Sequence, residues 1–147
     1  LGEVERSRIP ALAATLERAV AGCAPCDVEL VGLGAFPKPA IARVVWVGVR
    51  VGEPLRVLAA QVQAALADLG FELDPRPFHP HVTIGRLRAG GRHSALAKAL
   101  AEADAEWIGA MRVSGVTLFE STLSPTGATY TALARVPLCG EVGASLA

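Results

Sequence analysis

The residues best suited to chemistry lie in one short run, Pro77-Phe78-His79-Pro80-His81-Val82-Thr83-Ile84-Gly85-Arg86, which holds two of the three histidines of the chain. The spacing predicts a strand over 81–87. In a strand, residues two apart share a face, so the imidazole of His81 and the hydroxyl of Thr83 point the same way. That pair can serve a phosphate: the imidazole moves a proton near neutral pH, and the hydroxyl donates a hydrogen bond to a phosphate oxygen. By the same alternation Val82 and Ile84 face a core. Arg86 falls on the face opposite His81 and joins the site only if the strand twists or ends there. The plainer reading is a half-buried strand whose polar face happens to hold His and Thr.

The charge around this run favours an anion. From Pro75 to Lys98 there are five cations, Arg76, Arg86, Arg88, Arg92 and Lys98, and no Asp or Glu. A locally positive site suits an anionic ligand such as a phosphodiester, and a solvated basic edge is the alternative. The whole chain is neutral, with 14 cations against 14 acids, so global charge does not advertise nucleic-acid binding.

Other candidate motifs are weaker. Cys23-Ala24-Pro25-Cys26 has C-x-x-C spacing, but no second such pair exists to complete a zinc site, and it follows a helix rather than opening one. His79-x-His81 has no acidic residue nearby in sequence to complete a metal site. There is no G-x-x-x-x-G-K-S/T loop, no G-x-G-x-x-G and no G-x-S-x-G elbow, so neither ATP nor a dinucleotide is expected. Ser121, Thr122 and Ser124 stand in turn-like contexts and read as structural.

The elements that must position His81 and Thr83 follow from periodicity. Ile9, Leu12, Ala13, Leu16 and Val20 predict a helix over 9–20, with Ser7 as its cap and Pro10 in the first turn. Strands are expected at 27–35 and 43–50. The stripe Leu55, Leu58, Ala59, Val62, Leu66 and Leu69 predicts an amphipathic helix opened by Pro54 and closed by Gly70. Asp74-Pro75-Arg76-Pro77 reads as a turn, Gly90-Gly91 ends the histidine strand, and a short helix is expected over 94–104. Two further strands are expected at roughly 111–121 and 128–136, joined by Ser124-Pro125-Thr126-Gly127. Strand pairs with helices between them predict an α+β fold with antiparallel sheets.

At 147 residues and 52% hydrophobic content the chain buries a core, which excludes intrinsic disorder. Mean hydropathy is +0.41, but charge interrupts every apolar run, so no membrane span is expected. Three cysteines argue against a disulfide framework, which places the chain in the cytoplasm.

The run Pro77–Arg86 resembles the second His-x-Thr motif of the 2H phosphoesterase superfamily, and in particular the RNA 2′,3′-cyclic phosphodiesterases, also called 2′-5′ RNA ligases. The segment Phe119-Glu120-Ser121-Thr122-Leu123-Ser124-Pro125-Thr126-Gly127-Ala128-Thr129-Tyr130 is similar to that group's closing strand pair, and Val136-Pro137-Leu138 to its ending. Leu1-Gly2-Glu3-Val4 resembles the end of its first motif strand. The chain departs from the pattern in holding one His-x-Thr, since His93 is followed by Ser94-Ala95. The expectation is therefore a single domain over 1–138, truncated at its N-terminus with the first motif just upstream, and a loose tail over 139–147.

The resemblance implies two pseudo-symmetric α+β lobes with antiparallel sheets, helices on the outer faces and an active-site cleft between them. It implies a substrate, an RNA end bearing a 2′,3′-cyclic phosphate, that is opened to a 2′-phosphate or, in reverse, joined in a 2′-5′ linkage. His81 corresponds to the second-motif histidine, read as general base. Thr83 would hold a phosphate oxygen, and Arg86 matches a substrate-contacting position. No metal, cofactor, membrane or protein partner is implied. With one of two histidines, the 147-residue chain alone is expected to be impaired. A non-catalytic RNA- or nucleotide-binding module on the same scaffold is the alternative, and a purely structural α+β domain with an incidental histidine strand is a third reading.

Overall fold

The computed structural model describes residues 1–50, 52–73, 75–87, 92–125 and 127–140. Its elements are α1 (Ile9–Val20), β1 (Cys26–Phe36), β2 (Val44–Arg50), α2 (Glu53–Asp68), β3 (His81–Arg86), α3 (Ser94–Glu102), β4 (Trp107–Val113), β5 (Gly115–Ser124) and β6 (Gly127–Pro137). The class is α+β, as the sequence predicts. No helix among the described residues is long and apolar enough to cross a membrane.

The chain forms two compact units, Leu1–Cys26 with Glu53–Arg76 and Val113–Ala147, and Asp27–Gly52 with Pro77–Arg112. In the first, α1 and α2 pack beside the antiparallel pair β5–β6. Leu16 and Val20 of α1, Leu58 of α2, and Val136 and Leu138 form one buried cluster. Leu58 is the buried centre of the predicted α2 stripe, and Leu55 and Val62 pack beside it. Helix α2 stops where the sequence says it must. Gly70 has φ +81° and donates to Ala67, while the Phe71 N–H reaches back to the Leu66 carbonyl. That double bond is a Schellman closure, which the missing Cβ of glycine permits. Arg8 donates to the Leu69 carbonyl and lies over the Phe71 ring, placing a cation at the negative end of the helix.

The start of α1 differs from expectation. Arg6–Arg8 form a short 3-10 turn that runs straight into the helix, so Ser7 is inside helical backbone and is not a cap. Its hydroxyl donates to the Glu5 carboxylate instead. At the other end of the unit, the Gly140 N–H donates to the Cys23 carbonyl, so the chain is held to the fold that far. The remainder of the expected tail, 141–147, lies outside the described residues, as do Asp74 of the predicted turn, Thr126 of the β5–β6 turn, and Arg88, Gly90 and Gly91.

The second unit is built on a four-stranded sheet in the order β3-β2-β1-β4, with β2 antiparallel to both β1 and β3. Buried Leu100 of α3 packs on Ala35 of β1 and Ala42, with Leu33, Val45, Leu87 and Leu96 around them. The single strand expected over 111–121 is two strands. β4 ends at Val113 in the four-stranded sheet, and β5 begins at Gly115 and pairs with β6. Ser114-Gly115 is the break. A continuous run of strand-forming residues on both sides hides it, because propensity does not record which sheet a strand joins.

Candidate functional site

His81 opens β3, and two features fix its ring. The Pro80 carbonyl just before it accepts from the Val49 N–H of β2 at 3.2 Å, which holds the start of β3 to its neighbour. The ring then turns back: Nδ1–H donates to the His79 carbonyl at 2.8 Å. A carbonyl oxygen only accepts, so the bond places the proton on Nδ1 and leaves the lone pair of the neutral ring on Nε2.

Four rings gather on this side of the sheet. His79 and His81 lie 4.9 and 6.1 Å, centroid to centroid, from Trp46, and 5.6 and 5.1 Å from Phe36. Phe36 and Trp46 stand 5.3 Å apart. The His81–Phe36 contact is edge-on, the favoured geometry for aromatic pairs. Two glycines make the arrangement possible. Gly34 sits opposite Trp46 in the β1–β2 ladder, and a Cβ there would collide with the indole ring. Gly48 sits opposite His81 in the β2–β3 ladder, and a Cβ there would collide with the Val31 carbonyl. Sequence reasoning missed Phe36 and Trp46 as neighbours of the site. The signal was there in Gly34 and Gly48, since glycine inside a strand marks a close approach.

Thr83 is paired with Trp46 and His81 with Gly48, so both side chains rise on the Trp46 face as expected. Arg86 corrects the sequence reading. The ladder passes from Trp46↔Thr83 to Val45↔Gly85 and Val44↔Arg86, leaving Ile84 as an extra residue on β3. One inserted residue reverses the alternation beyond it. Val44 and Trp46 share a face, so Arg86 shares the face of Thr83 and His81. Gly85, next to the bulge, is the residue that could have revealed it.

The apolar side of β3 is a second correction. Val82 and Ile84 are 38% and 58% exposed and do not enter a core of their unit. β3 stands at the end of the sheet order, and the buried cluster under α3 centres on β1 and the chain around Ala42 instead.

The five-cation cluster also resolves differently. Lys98 reaches Glu102 one turn along α3. Arg76 belongs to the first unit and makes an interaction of its own. Arg88 lies outside the described residues. Arg86 and Arg92 remain exposed. The C-x-x-C cysteines are unbridged; the Cys23 thiol donates to the Gln61 amide oxygen at 2.7 Å. Burial, with the neighbouring Cys26, pushes the Cys23 thiol above its ordinary range.

Comparison with known proteins places the chain in a family. The family model described as the 2′-5′ RNA ligase superfamily matches residues 2–123. An Aeropyrum pernix protein named RNA 2′,3′-cyclic phosphodiesterase is 41% identical over 110 residues, which are 74% of this chain and 62% of that protein. A Methanothermobacter thermautotrophicus protein of the same name is 32% identical over 88% of this chain and 70% of its own length. The chain thus spans about two thirds of the length of these relatives. Among solved structures, TT0787 of Thermus thermophilus superposes with a TM-score of 0.77 at 28% identity, covering 96% of this chain and 75% of that one. LigT of E. coli complexed with 3′-AMP gives 0.67 at 25% identity, over 94% and 72%. Together with the His81–Thr83 strand and the α+β fold, these matches establish that the chain belongs to the 2′-5′ RNA ligase superfamily.

Proposed function

We propose that this protein is an RNA 2′,3′-cyclic phosphodiesterase. It opens the cyclic phosphate at an RNA 3′ end to leave a 2′-phosphate, and in reverse it joins such an end to a 5′-hydroxyl through a 2′-5′ linkage. The names carried by its relatives support the reaction. The observation that carries the assignment to this site is the His81 ring, held through Nδ1 with no hydrogen bond to Nε2 among the described residues, on one strand face with Thr83 and Arg86.

In this reading His81 Nε2 takes a proton from water. The water oxygen bonds to phosphorus, the bond from phosphorus to O3′ breaks, and O3′ takes a proton from a second group acting as general acid. The Thr83 hydroxyl donates to a non-bridging phosphate oxygen, and the Arg86 guanidinium offsets the charge that builds there. In the reverse sense a 5′-hydroxyl replaces the water. One His-x-Thr supplies one of the two proton-transfer groups, so the 147-residue chain by itself is a weak catalyst. The cytoplasm is the compartment we assign, on the support of three unbridged cysteines.

The test incubates the protein expressed from its complete reading frame with an RNA ending in a 2′,3′-cyclic phosphate, with chelator and without ATP. A 2′-phosphate product is expected. A 3′-phosphate, or an intact ring on an RNA that binds, counts against the proposal, and the latter result favours a binding module.

A further inference from the structure

We propose that Lys38, Arg43 and Arg92 form a track for the RNA phosphates upstream of the reacting end, so that the protein acts on polymers in preference to cyclic mono- or dinucleotides. The inference rests on the reading of His81 and Thr83 given above.

The neutral chain conceals a division of charge. The second unit has eight cations against five acids, a net +3 with histidine neutral, and the first has six against nine, a net −3. Charge separated in this way favours an anionic partner for the positive part. Within the second unit, three cations are already matched: Arg50 to Glu29 at 2.6 Å, Arg112 to Asp27 at 3.0 Å and Lys98 to Glu102 at 3.9 Å. The two other acids, Asp104 and Glu106, belong to the segment whose backbone passes Gly32. Lys38, Arg43, Arg86 and Arg92 are exposed and make no ion pair among the described residues.

Backbone bonds draw these four to one end of the sheet. The Arg43 N–H donates to the Phe36 carbonyl at 2.8 Å, closing the loop that carries Lys38. The Leu87 N–H donates to the Arg43 carbonyl at 2.9 Å, which sets the end of β3, and hence Arg86, beside Arg43. The His93 N–H donates to the Ala40 carbonyl at 3.1 Å, which brings Arg92 to the same loop. Arg86 is the link: it shares a face with Thr83, and the residue after it, Leu87, bonds to Arg43 at the loop that carries the other cations. A strand whose terminal phosphate lies at His81 and Thr83 therefore meets Arg86 first and the loop cations next. Lys38 and Arg43 lie far from the histidine run in sequence, so the track is visible only in the fold.

Phosphate contacts of this kind are independent of sequence and release counterions, each adding about −0.7 to the slope of log affinity against log salt for a single strand. Three contacts give a slope of about −2, or roughly a 20-fold loss of affinity between 50 and 200 mM salt. The test measures the Kd of a 12-nucleotide RNA and of a dinucleotide, both ending in a 2′,3′-cyclic phosphate, with the wild-type protein and the triple variant Lys38→Ala, Arg43→Ala, Arg92→Ala. A 12-mer ending in a 3′-hydroxyl runs alongside, and thermal melting checks that the variant folds. The variant should weaken both 12-mers and cut their salt slopes by about 2, with dinucleotide affinity unchanged. Equal 12-mer affinity and slope in wild type and variant would overturn the track. Failure of the wild type to bind the dinucleotide would instead strike at the reading of His81 and Thr83, while the 3′-hydroxyl 12-mer still decides the track.

Discussion

Arg86 stands on the same face of its strand as Thr83, although three positions separate them and simple alternation would place them on opposite sides. The bulge at Ile84 brings this about: Thr83 pairs with Trp46 and Arg86 with Val44, two residues of β2 that face the same way. A local irregularity thus sets an arginine on the same strand face as a histidine and a hydroxyl, and bulges often re-aim a side chain in this way.

The consequence for binding is specific to charge and fork geometry. Arg86→Ala should weaken binding of a 2′,3′-cyclic phosphate dinucleotide by about 10- to 100-fold, the range for one charge-assisted hydrogen bond of about 1.5–3 kcal/mol. Arg86→Lys should restore only part of it, because an ammonium cannot reproduce the bidentate fork. Titration with the dinucleotide checks both. Unchanged affinity in the alanine variant would remove Arg86 from the site.

The indole beneath the histidines makes a prediction about stability. Gly34→Ala pushes a methyl into the Trp46 ring, and overpacking of this sort costs about 1–3 kcal/mol. Trp46→Ala on its own removes a ring that both histidines touch. In the double variant the new methyl has nothing to strike, so its cost should largely vanish. Urea denaturation of the four proteins reads this coupling directly. Simple additivity would show that Trp46 does not lie across Gly34.

Much of this was legible in the sequence, and the failures share a cause. The apolar stripe of α2, its Gly70 stop and the His81–Thr83 pairing are set by residues near one another in the chain, so periodicity finds them. The face of Arg86, the exposure of Ile84 and the division of 107–124 into two strands depend on which strand lies alongside. Pairing partners are not written locally. Trp46 and Phe36 approach the histidines across the sheet from residues about 35 to 45 positions earlier, and Lys38 and Arg43 reach Arg86 in the same way. Glycine was the one local trace, at 34, 48 and 85.

Thiol reactivity separates the cysteines. Burial beside Cys26 raises the Cys23 thiol, which also donates to Gln61, whereas Cys139 is exposed. Thiolate is the reactive form, so at neutral pH iodoacetamide should label Cys139 well before Cys23. Raising the pH should narrow the difference, because the raised thiol ionises later. Peptide mass spectrometry over a time course checks the order, and earlier labelling of Cys23 would contradict the environment described for it.

A single-turnover rate reads whether His81 moves a proton in the opening of the cyclic phosphate. The protein expressed from its complete reading frame, and its His81→Ala variant, would each be mixed in excess with an RNA ending in a 2′,3′-cyclic phosphate. The variant should open the ring about 10²–10⁴-fold more slowly, the range for loss of one general acid or base, while binding the RNA within a few-fold of wild type. A variant that opens the ring at close to the wild-type rate would show that His81 moves no proton in the reaction.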